Sequence, residues 1–116
     1  MREILNKLTD IICDYLRINE DLFFCAYGHP RIIEAKKYFS YFAYCKFKIP
    51  PSTVSGYLGV SAKRASITID RANSVRSVMY NEYSSQTVRD IEELEKIIEK
   101  NSIWQKSIVV QLQEGS

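Results

Sequence analysis

The chain has 116 residues, 46% hydrophobic and 26% charged, with a net charge of +2. That size and mixture specify one globular domain with its own core, and four glycines with three prolines are too few for an all-β chain of many tight turns. Cys13, Cys25 and Cys45 include no CxxC pair, which argues for reduced thiols, and no apolar run approaches the roughly 18 to 20 residues of a membrane span, so the expectation is a cytoplasmic protein without a signal peptide.

Residues 1–30 read as N-terminal helices. From 2 to 17, Ile4, Leu5, Leu8, Ile11, Ile12, Tyr15 and Leu16 recur every three or four positions, the stripe of an amphipathic helix. Asn19 can then cap a short helix, with Glu20 and Asp21 favourable in its first turn. Gly28 and Pro30 break the chain and start the next helix. His29 follows Cys25 by four residues, but no second close pair of ligands exists, so no metal is expected.

Residues 31–48 form the long helix. Ile32, Ala35, Phe39, Phe42, Ala43 and Phe47 share one side, broadened by Tyr38, Tyr41 and Tyr44. Aromatic and basic residues interleaved in this way could stack on bases, yet at helical spacing an aromatic stripe reads as core. Pro50 ends this helix, because it disfavours the α conformation at Ile49.

Residues 49–79 read as a helix-turn-helix. A short helix opens near Pro51 or Ser52 and buries Val54, Tyr57 and Leu58, with Ser55 and Gly56 small enough for close helix approach. Gly59 permits the reversal with positive φ, and Ser61 can cap the second helix. In that second helix Ala65, Ile69, Ala72, Val75 and Met79 are expected inward. Lys63, Arg64, Ser66, Ile67, Asp70, Arg71 and Ser74 are expected outward, and Ile67 suits either a thymine methyl or a neighbouring helix. Between residues 31 and 76 lie nine basic and two acidic residues, while both flanking regions are net acidic. A polyanion would bind in this basic region.

Residues 84–100 form an acidic amphipathic helix, capped by Ser84, Ser85 or Thr87, with Val88, Ile91, Leu94 and Ile98 inward and Glu92 paired with Lys96. Being acidic, it is expected on the side away from DNA. Residues 101–116, with Trp104, Ile108, Val109, Val110 and Leu112, are too apolar for a free tail and suit a helix, a strand or a homodimer contact.

The run EAKKYFSYFAYCKFKIPPSTVSGYLGV, residues 34–60, resembles the C-terminal DNA-binding domain of the bacterial replication initiator DnaA, which reads approximately EARQIAMYLLRELTGLSLPEIGRFFGG over the same length. The resemblance implies an all-α, Trp-repressor-like fold with a long helix before the helix-turn-helix. Two of the family's elements are absent. VSAKRAS at 60–66 replaces its GRDHSTV-like signature, and its basic loop is reduced to GHPR at 28–31.

The functional expectation is a protein that binds double-stranded DNA in replication initiation or transcription regulation, with a mobile element as one setting. Ser61, Lys63, Arg64, Ser66, Ile67 and Arg71 would face the major groove, and Arg31, Lys36, Lys37 and Lys48 would reach phosphates. The alternative is a protein-interaction adaptor on the same scaffold without DNA binding. With one histidine and no nucleotide-binding or hydrolase motif, no enzyme activity, cofactor or small-molecule substrate is expected.

Overall fold

The structure is a computed structural model that describes residues 2–24, 29–59, 65–81 and 86–101. It is all-α, with no strand among the described residues. Helix α1 (Arg2–Leu16) buries Leu5, Leu8, Ile12 and Leu16, the stripe expected from their spacing. It ends with Arg17 in the left-handed region at φ 56°, and the Ile18 N–H donates back to the Cys13 carbonyl at 2.8 Å. This is a Schellman-type cap built without the usual glycine. Asn19 then caps α2 (Glu20–Phe23), its side chain accepting from the Asp21 N–H at 2.8 Å.

Helix α3 (Pro30–Ser40) starts with Pro30 in its first turn, and exposed His29 caps it, Nδ1 accepting from the Arg31 N–H at 3.2 Å. The long helix is interrupted. From Tyr41 to Lys46 it widens into a π-helical segment, seen in the Phe47 N–H donating to the Phe42 carbonyl at 2.9 Å. The extra residue per turn lets Tyr38, Phe39, Tyr41, Phe42 and Ala43 all be buried. Ser40, at the start of this widening, has a fully buried hydroxyl with no hydrogen-bond partner among the described residues. The segment ends at Lys48, which takes φ 58° so that the Ile49 N–H reaches the Ala43 carbonyl at 2.9 Å. Ile49 is thereby buried, and Pro50 and Pro51 begin α4 (Pro51–Tyr57).

Helices α5 (Ala65–Asn81) and α6 (Gln86–Lys100) complete the fold. Helix α3 and its π extension lie at the centre, packed on α1, α2 and α5. One hydrophobic cluster takes residues from all six helices, including Leu8, Ile12, Phe23, Phe39, Phe42, Val54, Val75, Ile91 and Leu94. The aromatic stripe is core. Phe39 stacks on Tyr57 at 5.5 Å and meets Phe23 edge-on at 5.6 Å, joining α2, α3 and α4.

Helix α6 buries Val88, Ile91, Leu94 and Ile98 as its pattern predicts. Its ion pair is Lys96 with Glu93 at 3.5 Å, one turn back, rather than with Glu92. Both spacings bring side chains together on a helix, so the sequence alone could not choose between them. No helix among the described residues is long and apolar enough to cross a membrane. Thr87, one of the expected caps, lies inside α6 instead; the other two, Ser84 and Ser85, and the segment 102–116 lie outside the described residues.

Candidate nucleic-acid interface

The helix pair at 49–79 is built from small contacts. Pro50 caps α4 and Pro51 occupies its first turn, where the missing N–H costs nothing. Val54 and Ser55 turn inward, Leu58 seals the end, and Gly59 follows with φ 78°, the left-handed conformation common just past a helix C-terminus. Gly56 is exposed and no described atom stands where its Cβ would be, so among the described residues it serves no close helix approach. That role falls to Ser55, whose hydroxyl lies 2.8 Å from the Thr68 hydroxyl, both side chains being buried. This bond sets how α4 crosses α5. Thr68 was not among the residues expected inward, because a threonine does not count toward an apolar stripe. Of those that were, Ala72 and Val75 are buried and Ala65, Ile69 and Met79 are half-buried.

The residues expected at the major groove divide into three groups. Ser61, Lys63 and Arg64 lie outside the described residues. Ser66 is exposed at the start of α5, while Ile67 and Arg71 are half-buried. Burial of Arg71 lowers its pKa. With 100° per residue, the outward face of α5 carries Ser66, Asp70, Asn73 and Ser77, while Arg71 and Arg76 fall on opposite flanks.

Two of the expected phosphate contacts are committed elsewhere. Arg31 donates its Nε–H to the Leu16 carbonyl at 3.0 Å, capping the C-terminus of α1. Lys36 is buried at 8% exposure, which withdraws it from the surface a phosphate would reach. Its long apolar stem suits the helix interface, which periodicity counted by residue type could not register. Lys37 is half-buried and Lys48 is exposed.

The remaining basic side chains meet at the junction of the π segment and α5. Tyr41, Tyr44, Cys45, Lys46, Lys48 and Arg76 line a cleft there. Lys46 lies 5.7 Å from the centre of the Tyr41 ring and pairs with Glu95 of α6 at 3.3 Å. Burial disfavours its ammonium, but Tyr41 and Glu95 outweigh this and hold its pKa above the ordinary lysine value. The acidic helix is therefore not wholly remote from the basic region, since Glu95 touches it. Burial raises the Cys45 thiol, and Arg76, Lys48 and Lys46 pull it back only in part.

A second polar constellation carries no positive charge and lies between helices. Asp90 of α6 is buried and accepts from Tyr15 at 3.0 Å, Tyr38 at 2.8 Å and Gln86 at 2.9 Å. The Tyr38 hydroxyl also contacts Glu34 Oε1 at 2.5 Å. Burial and these carboxylates push Tyr15 up to about 12 and Tyr38 well above the usual tyrosine range. The network ties α1, α3 and α6 together. Asp90 sits at the edge of the α6 stripe, two residues after Val88, where an acid normally reads as solvent-facing.

Among the described residues no group of three His, Cys, Asp or Glu side chains could hold a metal, and Cys25, the partner considered for His29, lies outside them. Cys13 is buried, and burial with the nearby Glu20 and Asp10 charges raises its thiol to about 12. Comparison of the chain with protein-family models, curated proteins and solved structures finds no match.

Proposed function

We propose that this protein binds double-stranded DNA through α4 and α5, in replication initiation or transcription regulation. The observation that carries this reading is the pair α4 and α5, joined by the Ser55–Thr68 bond and with left-handed Gly59 after α4, within the basic part of the chain. The resemblance of residues 34–60 to the DnaA domain points the same way. In this reading Lys63 and Arg64, just before the described start of α5, supply base contacts, and Lys37 and Lys48 supply phosphate contacts. Titrating salt against binding to a random duplex tests it. The two phosphate contacts predict a slope of log K against log salt of about −2. Reversing the charge at Lys63 and Arg64 together should remove most of the affinity, and absence of duplex binding at low salt would refute the reading.

A protein-interaction adaptor is favoured by a different observation. The centre of the described outward face of α5 carries Asp70 and neutral side chains, and the one exposed cation of this helix, Arg76, lies on its flank. An adaptor would leave the duplex unbound at every salt concentration.

A further inference from the structure

The cleft between the π segment and α5 has features that the helix-turn-helix reading does not require. Three cations come from two elements: Lys46 and Lys48 at the end of the π segment, and Arg76 eleven residues into α5. Lys46 is partly neutralised by Glu95, but among the described residues neither Lys48 nor Arg76 has a carboxylate partner. Both are exposed, whereas the cleft wall is formed by buried Tyr41 and half-buried Tyr44 and Cys45. Lys48 takes a left-handed backbone, φ 58°, just past the π segment. Arg76 hydrogen-bonds Cys45 in the cleft wall, and two cations without a described carboxylate partner beside a concave wall attract anions; a guanidinium fork with an ammonium point charge suits phosphate oxygens.

We propose that Lys48 and Arg76, supported by Lys46, form a phosphate-binding cleft walled by Tyr41, Tyr44 and Cys45. Its ligand is a phosphate ester, supplied either by the backbone of a nucleic acid or by a small phosphorylated molecule. Occupancy does not depend on recognition of a duplex by α5.

Cys45 provides the measurement, because a ligand in the cleft covers it. The rate of Cys45 alkylation by iodoacetamide is followed by peptide mass spectrometry, which separates it from Cys13 and Cys25. Inorganic pyrophosphate and a random 20-base-pair duplex are the two probes, each compared with sodium chloride at matched ionic strength. At about four times the half-saturating concentration, one fifth of the protein is free, so the rate should fall about fivefold. The double variant Lys48→Asn with Arg76→Gln should lose this protection while keeping its helical circular dichroism. Asparagine tolerates the left-handed backbone at 48, and both positions are exposed, so the fold is retained.

Protection by pyrophosphate alone identifies a small phosphorylated ligand, and protection by the duplex as well identifies the backbone as a source. No protection by either probe, or equal protection in the double variant, overturns the proposal. A duplex that binds without shielding Cys45, with pyrophosphate also inert, would refute the cleft and leave the helix-turn-helix reading intact. Shielding by pyrophosphate without duplex binding would do the reverse.

Discussion

Replacing Asp90 with alanine should destabilise the fold more than any other single change at a polar residue. The carboxylate is 5% exposed and accepts three hydrogen bonds, from Tyr15, Tyr38 and Gln86. Each bond to a charged acceptor is worth about 1.5 to 3 kcal/mol, but the three cannot simply be added. Tyr38 keeps Glu34 as an alternative acceptor, and Gln86 and half-buried Tyr15 can turn to water. Removing the acid also returns the cost of burying a carboxylate. The net loss is about 2 to 4 kcal/mol, which for a domain of this size lowers Tm by roughly 10 to 25 °C. Asp90→Asn keeps the shape and one acceptor, and should cost about 1 kcal/mol, since the tyrosine hydroxyls can rotate to accept from its amide. Urea unfolding followed by far-ultraviolet circular dichroism would give both values, with an unchanged m for each variant. If Asp90→Ala stayed within about 0.5 kcal/mol of the parent chain, or Asp90→Asn cost as much as the alanine, the hydrogen-bonding account would be refuted.

The same network predicts an alkaline limit. Tyr15 and Tyr38 have folded pKa values above their unfolded value, so their contribution is complete below about pH 10 and is lost as pH rises toward 12. Melting temperatures from pH 8 to 12 should fall steeply in the parent chain and less so in Asp90→Ala. The two glycines of the helix pair should respond with opposite signs: Gly56→Ala should raise stability by about 0.5 to 1 kcal/mol, whereas Gly59→Ala, at φ 78°, should lower it by about 1 to 2. Ser55→Ala should cost about 1 to 3 kcal/mol by stranding the buried Thr68 hydroxyl, and adding Thr68→Val should recover most of that loss. A double-mutant cycle by thermal melting checks it, and strictly additive effects would show that the bond does not fix the two helices.

What the sequence determined by itself is the set of helices and most of what they bury. Periodicity at three and four residues marks the inward faces of α1 and α6, and Asn19, Pro30 and Pro51 mark where helices start. The positive φ of Gly59 was legible because few other residues adopt it without strain. These features act locally, within one or two turns of chain.

The uses of individual polar side chains were decided only by tertiary structure. Arg31, Lys36 and Lys46 belong to one basic stretch of sequence, yet one caps α1, one is buried and one pairs with Glu95. Asp90 resembles its acidic neighbours in α6 until Tyr15 and Tyr38 are brought against it from α1 and α3. The cleft at Cys45 likewise exists because the π turn sets Lys46 and Lys48 beside Arg76, nearly thirty positions away. A local pattern records whether a residue is polar. Its partner is set by chain that arrives from elsewhere, and in this protein that partner determines which positive charges remain available to a ligand.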